Sequence, residues 1–429
     1  MSVVTDNTNF AKNTTYKVVL PFYVYATLSF LVACSLLFNS SAAFTQHYFQ
    51  PRLLSITHIM SLGWGTMMIL GASYQLIPVL TEGKLYSNLL AYLSFGFAAS
   101  GIPLLVYAFY TFNMGYAALC GGILVNAAIV LYLVNLVLSI SKSKNKNVHA
   151  IFVLTAGLWL LLTTMIGLLL LLNFSVTILP KDSLYYLSLH AHIGFVGWFL
   201  MLIVGVGSRL IPMFLISKYS NTKLLWLIYA LMNGALISFI SLNVFLHQTL
   251  AYLLSIAGII IALLLYGFYC YQSFSKRIRK HIDPQMRISL LSVMMMILPV
   301  IFLMLIIVWM LLYVPQPKLV VVYGFSIFFG WITAIILGMT FKTLPFIIWN
   351  KHYHDKAGSS KTPNPKDLFS RTIFTVMSIA YIAGFSLFVS GILLLNIFLL
   401  QMASILLLLT ALLYNWNIFK MLNHKPITP

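Results

Sequence analysis

The chain has 429 residues, of which 61% are apolar, 15% aromatic and only 7% charged, and its formal net charge is +19. This composition excludes a soluble globular domain and predicts an all-α polytopic membrane protein. Residues 1–17 are polar, so we expect no cleavable signal peptide. The three cysteines stand alone in apolar segments, which argues against a disulfide framework and against a Cys-x-x-Cys metal site.

Twelve hydrophobic stretches are long enough to cross a hydrocarbon layer of about 30 Å. In chain order they are 18–39, 54–80, 88–110, 115–140, 149–173, 185–214, 223–246, 249–274, 288–313, 319–348, 371–394 and 397–421. We therefore expect about twelve transmembrane helices in a single membrane domain, residues 1–429. The expected cytoplasmic loops are 141–148, 275–287 and 349–370.

Lysine and arginine are distributed unevenly over the two sides of this predicted bundle. Of the 25, only Arg52, Lys181 and Lys318 lie in loops after odd-numbered spans, and Arg209 and Lys342 lie within spans. The termini and the loops after even-numbered spans hold the other 20. The positive-inside rule then places both termini in the cytoplasm. Topology and contact with anionic lipid explain the positive charge, so we expect lipid rather than nucleic acid as a partner.

One helix pattern recurs three times along the chain. The copies are His58-x5-Trp64 with Pro78, His190-Ala191-His192-x5-Trp198 with Pro212, and Phe325-x5-Trp331 with Pro345. The tryptophan precedes the proline by 14 residues in each copy, and successive tryptophans are 134 and 133 residues apart. The copies fall on spans 2, 6 and 10, which predicts four-helix repeats at approximately 18–140, 149–274 and 288–421. Three four-helix arcs in one orientation predict pseudo-threefold symmetry.

Three histidines near the outer ends of spans 2 and 6 are the candidate functional residues. A neutral imidazole is a good ligand for haem iron, copper or zinc. His190 and His192 are two residues apart, so they point to opposite sides of a regular helix, about 200° apart. A haem between spans 2 and 6 could be held by His58 and one of this pair. The competing interpretation is that all three are polar groups satisfied by helix packing.

Other polar and aromatic positions have structural interpretations. His47 and His247 lie in outer loops, where either solvation or a place in a metal shell fits them. The tryptophans of the repeat follow glycines, which favours close helix packing over the lining of a cofactor pocket. We expect Arg209 and Lys342 to extend to the inner membrane interface, with a polar or proton entrance as the alternative.

These features resemble subunit I of the haem-copper oxidases, and the whole chain is similar to short bacterial proteins labelled cytochrome c oxidase subunit I or cbb3-type subunit 1-like. That family has twelve helices in three arcs of four, cytoplasmic termini and haems in the outer half of the membrane. The His190-Ala191-His192 run is similar to its tenth-helix His-x-His, whose histidines serve two haems, and His58 matches its second-helix ligand. The resemblance implies a haem on His58 and His192, with His190 turned toward a second haem or metal such as copper.

The chain departs from the family pattern in several places. Its His-x-His lies on span 6, whereas span 10 has Tyr323 and Phe325 at those positions. Span 7 has no His-His pair, so two of the three copper ligands are missing. All six acidic residues lie in predicted loops or at helix ends, so none lines a proton channel. We therefore expect a chain that lacks the complete oxygen-reducing centre.

Three functions remain open from the sequence. The first is a haem-bearing oxidoreductase or electron-transfer protein, whose partners would be cytochrome c or quinol and other respiratory subunits. The second is a non-enzymatic binding protein for NO, haem or copper, since the chain also resembles the membrane haem/copper proteins associated with nitric-oxide resistance. The third is a transporter on the same scaffold, in which the histidines have no ligand role.

Overall fold

The computed structural model describes residues 14–246, 251–313, 316–354 and 362–426. Within these ranges, twelve helices are long and apolar enough to cross a membrane. We number them α1 Tyr16–Asn39, α2 Pro51–Thr81, α3 Asn88–Thr111, α4 Tyr116–Ser141, α5 Val148–Ser175, α6 Leu187–Leu215, α7 Thr222–Phe245, α8 Tyr252–Ser275, α9 Pro284–Leu312, α10 Pro317–Tyr353, α11 Arg371–Leu394 and α12 Ile397–Leu422. The predicted all-α polytopic membrane fold is confirmed.

The predicted spans end close to the observed helices, because local capping interactions mark the helix ends. The break before α12 has a local cause, because Leu395 adopts a left-handed φ of 53° and the Asn396 side chain accepts a hydrogen bond from the Leu399 amide at 3.1 Å. Asn147 caps α5 in the same way, accepting from the Ala150 amide at 3.1 Å. Such caps satisfy amides that have no partner within the helix.

An even number of spans puts both chain ends on one side of the bundle. We call that side the terminal face and the other side the histidine face, because α2 and α6 begin there, only a few residues before His58 and His190. The distribution of lysine and arginine predicts that the terminal face is cytoplasmic.

Two helix pairs in different repeats share the same polar link. Asn135 of α4 accepts a hydrogen bond from the Ser87 amide at 3.1 Å and donates one to the Ser87 carbonyl at 2.8 Å. Asn417 of α12 does the same with Ser370, at 2.8 and 3.1 Å. Both links tie the start of one helix to the next helix, so α3–α4 and α11–α12 are equivalent hairpins. This recurrence is the structural counterpart of the repeat in the sequence.

The three repeated patterns adopt the same irregular backbone. Each contains a π-helical segment, at Ile59–Thr66 in α2, Ile193–Leu200 in α6 and Ser326–Ile332 in α10. Such wider turns are rare and are found often at functional sites. The glycines before the tryptophans allow close approach, since a Cβ on Gly197 would lie 2.7 Å from Cβ of Trp159. The three segments converge at the centre of the bundle, where Trp64, Trp198 and Trp331 are buried.

The three four-helix repeats meet at three junctions, and the helices are packed against each other at two of them. The α12–α1 junction is packed, and Asn415 donates a hydrogen bond to the Thr27 carbonyl at 3.1 Å. The α4–α5 junction is also packed, with Gly122 facing Leu168. Along the described parts of α8 and α9, no comparable packing occurs. The bundle is therefore open at the third junction.

An ion-pair cluster holds the terminal face of α10. Lys342 lies 2.5 Å from Asp283, and Arg279 binds the same carboxylate at 2.9 Å. Burial raises the pKa of Asp283, but the hydrogen bond and charge of Lys342, together with Arg279 and His281, lower it below the usual carboxyl value. Lys342, which we expected to extend to the interface, thus joins α10 to the residues preceding α9.

Candidate functional site

A cavity of about 770 Å³ surrounds the outer part of α6 and contains all three predicted site histidines in its wall. Its wall also includes residues of α2–α5 on one side of α6 and of α7–α10 on the other. The volume lies within the range of about 300–1,000 Å³ that small-molecule and cofactor sites occupy. The three histidines that the sequence identified therefore all line one large cavity.

His58 is held in one orientation by its own helix. Its Nδ1 lies 2.8 Å from the Leu54 carbonyl oxygen, one turn earlier in α2. A carbonyl only accepts, so Nδ1 carries the proton and donates, and Nε2 keeps a free lone pair. The ring of Phe109 in α3 packs against the imidazole, with centroids 4.3 Å apart.

His190 is fixed in the same way, by α5. Its Nδ1 donates to the Thr163 carbonyl oxygen at 3.0 Å. Gly167, one turn further along α5, leaves room for the ring, because a Cβ there would lie 2.9 Å from Cε1 of His190. The Nε2 of His190 is thus also available as an acceptor or a metal ligand.

His58 and His190 face each other across the cavity. Their ring centroids are 6.5 Å apart and their planes differ by 17°. Two imidazoles bound to one metal ion at about 2.0 Å have ring centres roughly 6.3 Å apart. Repeat position pairs His58 with His192, whereas the histidine ring that lies beside His58 is that of His190. The reason is geometric, because the side of α6 that faces α2 and α5 carries His190.

His192 lies on the other side of α6. Its Nδ1 donates to the Ser188 carbonyl oxygen at 2.7 Å, so its Nε2 is also free. Its nearest rings are Phe239 of α7, at a centroid distance of 5.2 Å, and Tyr323 of α10, at 5.9 Å. The two histidines of α6 therefore point to opposite sides of the helix, as their spacing predicted.

The His58–His190 side has several features that a haem could use. The ring centroids of the two imidazoles are about as far apart as those of two ligands of one metal ion, and backbone carbonyls fix both tautomers with Nε2 unprotonated, as is common for metal-ligating histidines. Asn126, also in the wall, has a buried Oδ1 without a hydrogen-bond partner. The wall has no charged side chain, so the carboxylates of a haem would need the histidine face, where Arg52 lies.

The described residues offer less support for a second kind of metal site. They contain no group of three or more histidine, cysteine, aspartate or glutamate side chains placed to hold an ion. His47 accepts a hydrogen bond from the Phe49 amide at 3.1 Å and is not part of the cavity wall. His247, the other loop histidine that we considered, lies outside the described residues.

The tryptophans of the repeat have both of the roles considered from the sequence. Trp64 is fully buried and stacks on Phe30, with centroids 4.6 Å apart, away from the cavity. Trp198 and Trp331 are also buried, and each forms part of the cavity wall. Close helix packing therefore explains all three, and lining of the cavity explains two.

Sequence reasoning missed several polar residues of the wall, notably Asn126 and Asn243. Both have a buried Oδ1 without a partner. A polar residue within an apolar span is itself a signal, because an unsatisfied amide is costly in a membrane. Tyr323 was noted only as the residue that replaces His190 in the third repeat, although it stacks near His192.

A comparison with protein-family models and with curated proteins finds no match to this chain. The chemistry of the site therefore has to be argued from its own residues. These are two opposed imidazoles on one side of α6, and a third imidazole among aromatic rings on the other.

Proposed function

We propose that this chain is a haem-binding membrane protein of electron transfer, in which His58 and His190 ligate one haem iron. The observation that carries the proposal is the pair of nearly parallel rings, 6.5 Å apart, in a cavity of about 770 Å³. The resemblance of the histidine pattern to subunit I of the haem-copper oxidases supports a haem on this chain, although that resemblance pairs His58 with His192 rather than with His190.

The chain would orient the two haem ligands and keep water away from the haem. The carbonyl of Leu54, in α2 itself, holds the His58 imidazole, and the carbonyl of Thr163, in α5, holds that of His190, so that Nδ1 is occupied and Nε2 is available in both rings. The apolar wall excludes water and ions, which favours a one-electron change at a buried site over side reactions. A bound haem would supply the reversible iron(II)/iron(III) couple.

Two histidine ligands favour electron transfer over the binding of O2 or NO, because they leave the iron no open position. Oxidase turnover is not part of the proposal, since α7 lacks the histidine pair that a copper site of that family uses. We further propose that the terminal face is cytoplasmic in a bacterial inner membrane, which puts the haem toward the outer side. The redox partners would then be cytochrome c or a quinol, with other respiratory subunits alongside.

The test is the reduced-minus-oxidised visible spectrum of the purified protein from a haem-replete host. We expect the bands of a low-spin haem in the unaltered protein, and their loss in His58→Ala and in His190→Ala. His192→Ala is the matched control, because it removes an imidazole from the same helix on the other side of α6. We expect this variant to keep the bands.

Two results would contradict the proposal. One is a correctly folded protein, with a single symmetric size-exclusion peak and helical circular dichroism, that shows no haem absorbance. The other is a haem spectrum that survives His58→Ala and His190→Ala but is lost in His192→Ala. Adding CO or NO to the reduced protein gives a separate readout, and we expect no spectral change if both axial positions are filled.

A further inference from the structure

The side of the cavity beyond α6 has no part in the proposed haem site. We call it the His192 lobe, and define it by His192, Phe239, Asn243, Tyr252 and Tyr323, all of which are in the cavity wall. Phe239 joins these residues, since its ring centroid lies 5.2 Å from that of His192 and 5.5 Å from that of Tyr252. The lobe is thus a continuous surface of aromatic and hydrogen-bonding groups.

The His192 lobe opens between α8 and α9. Each helix has one face in the cavity wall: Ile256, Ile259, Ile260 and Leu263 in α8, and Met296, Pro299, Val300, Leu303, Ile306, Ile307 and Met310 in α9. These two faces are not packed against each other, unlike the helices at the other two junctions of the repeats. Met310 belongs to the cavity wall and is nevertheless 52% exposed.

The surroundings of this opening are hydrocarbon rather than water. Ile261 and Leu264 of α8 and Ile301 and Leu305 of α9 are exposed large apolar side chains, as expected of helix faces that contact lipid. A ligand of the His192 lobe can therefore enter sideways from the membrane. Such a ligand needs an apolar body that is soluble in the bilayer.

The wall of the lobe also selects against charge. It contains no lysine, arginine, aspartate or glutamate, so a phosphate or carboxylate would be buried without a counter-ion. Two groups of the lobe can only accept a hydrogen bond, the Nε2 of His192 and the Oδ1 of Asn243, and among the described residues this Oδ1 has no partner. Both accept, so they match a ligand that donates through hydroxyl groups.

We propose that the His192 lobe binds a membrane-dissolved hydroquinone, with its ring among Phe239 and Tyr323, its hydroxyl groups on His192 and Asn243, and its apolar tail between α8 and α9. The hydroquinone is favoured over the oxidised quinone, because only the hydroquinone can donate hydrogen bonds to the Nε2 of His192 and the Oδ1 of Asn243. Binding requires no bond change. Use of the ligand as an electron donor to the iron on His58 and His190 rests on the proposed function above.

The test measures binding of radiolabelled decylhydroquinone to the purified protein by equilibrium dialysis under reducing conditions. We expect saturable binding, weakened at least about tenfold in Asn243→Leu, because one hydroxyl loses its acceptor. Asn126→Leu is the matched control, since Asn126 also has a buried Oδ1 without a partner but lies on the other side of α6. We expect its affinity to be unchanged, and decylbenzoquinone to bind more weakly than the hydroquinone.

A second pair of variants tests the opening. Val300 is in the cavity wall and Ile301 faces the lipid, so Val300→Trp should block the opening and Ile301→Trp should not. Equal affinity of the unaltered protein, Asn243→Leu and Val300→Trp for the probe would overturn the inference, as would displacement of the probe by a fatty acid but not by unlabelled hydroquinone.

The haem spectrum of each sample separates this inference from the proposed function. If the unaltered protein shows intact haem bands but does not bind the probe, the hydroquinone site alone is overturned. If a protein without haem binds the probe, and Asn243→Leu abolishes that binding, the haem proposal is overturned and the hydroquinone site stands.

Discussion

Trp64 donates its indole N–H to the hydroxyl of Thr333 at 3.1 Å, although 269 residues separate them in the chain. The bond links the π-helical segment of α2 to that of α10. Trp198 of α6 makes the equivalent bond to Thr66 of α2, at 2.9 Å. At the third equivalent position α6 has Leu200, two residues after Trp198, which offers no hydroxyl. The threefold pattern at the centre of the bundle therefore has three equivalent positions for such a hydrogen bond, and the bond is present at two of them.

Removal of the Thr333 hydroxyl should destabilise the protein. Thr333→Val leaves the buried indole N–H of Trp64 without an acceptor and also removes the bond from Thr333 to the Phe328 carbonyl. We expect a loss of about 1–3 kcal/mol, the cost of an unsatisfied buried donor. The measurement is the unfolding temperature in detergent. Thr333→Ser, which keeps the hydroxyl, should retain most of the stability, and equal unfolding temperatures for both variants would contradict the role of the bond.

Crowding at Gly167 should displace His190. A Cβ at this position would already lie 2.9 Å from the imidazole, so Gly167→Leu forces the ring away from its place opposite His58. We expect loss of most of the haem absorbance, and a destabilisation of about 1–3 kcal/mol from overpacking. Gly96→Leu in α3 is the control, since a Cβ there meets no atom within 4 Å. Unchanged absorbance in Gly167→Leu would argue against His190 as a ligand.

The Asp283 cluster should make stability depend on acidity. The pKa of Asp283 is lowered in the folded protein, chiefly by Lys342 against the opposing effect of burial. A lowered pKa stabilises the fold above the ordinary carboxyl value of about 3.9, and this contribution is lost as the pH falls through the folded value. We expect Asp283→Asn to lose about 1–2 kcal/mol near neutral pH, after allowance for partial solvent screening.

The measurement for Asp283 is the difference in unfolding temperature between the unaltered protein and Asp283→Asn across the acidic range. That difference should shrink as the pH falls, because protonation removes the same charge that the substitution removes. A difference that is constant from neutral pH to about pH 3 would contradict the electrostatic explanation.

The amide of Asn417 should be important for the α11–α12 hairpin. It is fully buried, and it satisfies both the amide and the carbonyl of Ser370. Asn417→Leu leaves the Ser370 amide without a partner, whereas the Ser370 carbonyl keeps its bond from the Phe374 amide at 3.0 Å, and we expect a loss of about 1–3 kcal/mol in unfolding experiments. Asn423, next to the chain end, has no such pair of bonds among those described, so Asn423→Leu should have little effect. Similar losses in the two variants would contradict this explanation.

Much of the fold was predictable from local properties of the sequence. Span lengths follow from the thickness of a hydrocarbon layer, and the break at Asn396 lies where a polar cap interrupts an apolar run. The irregular ends of the helices were harder to predict. Near α10, for example, the helix continues to Tyr353, whereas we expected its apolar part to end at residue 348. The hydropathy of the sequence falls before the helix ends, because the helical backbone hydrogen bonds continue into a polar segment.

The candidate site was predictable in its residues but not in its pairing. His58, His190 and His192 were selected because histidine is costly in a membrane unless it has a role or a partner. Repeat position then suggested His58 with His192, whereas the structure brings His58 to His190. A two-residue offset on a helix reverses the direction of a side chain, so the pairing depends on which side of α6 faces α2.

The sequence by itself determined the class of protein, the number of spans, the repeat of four helices and the three histidines, because each depends on composition or on spacing along one helix. Tertiary structure decided what spacing cannot encode: the rotation of α6 about its axis, and the open junction between α8 and α9. It also decided the partners of Lys342 and Trp64. These depend on how side chains from distant helices fit together, and many apolar sequences satisfy the same hydropathy pattern with different helix rotations.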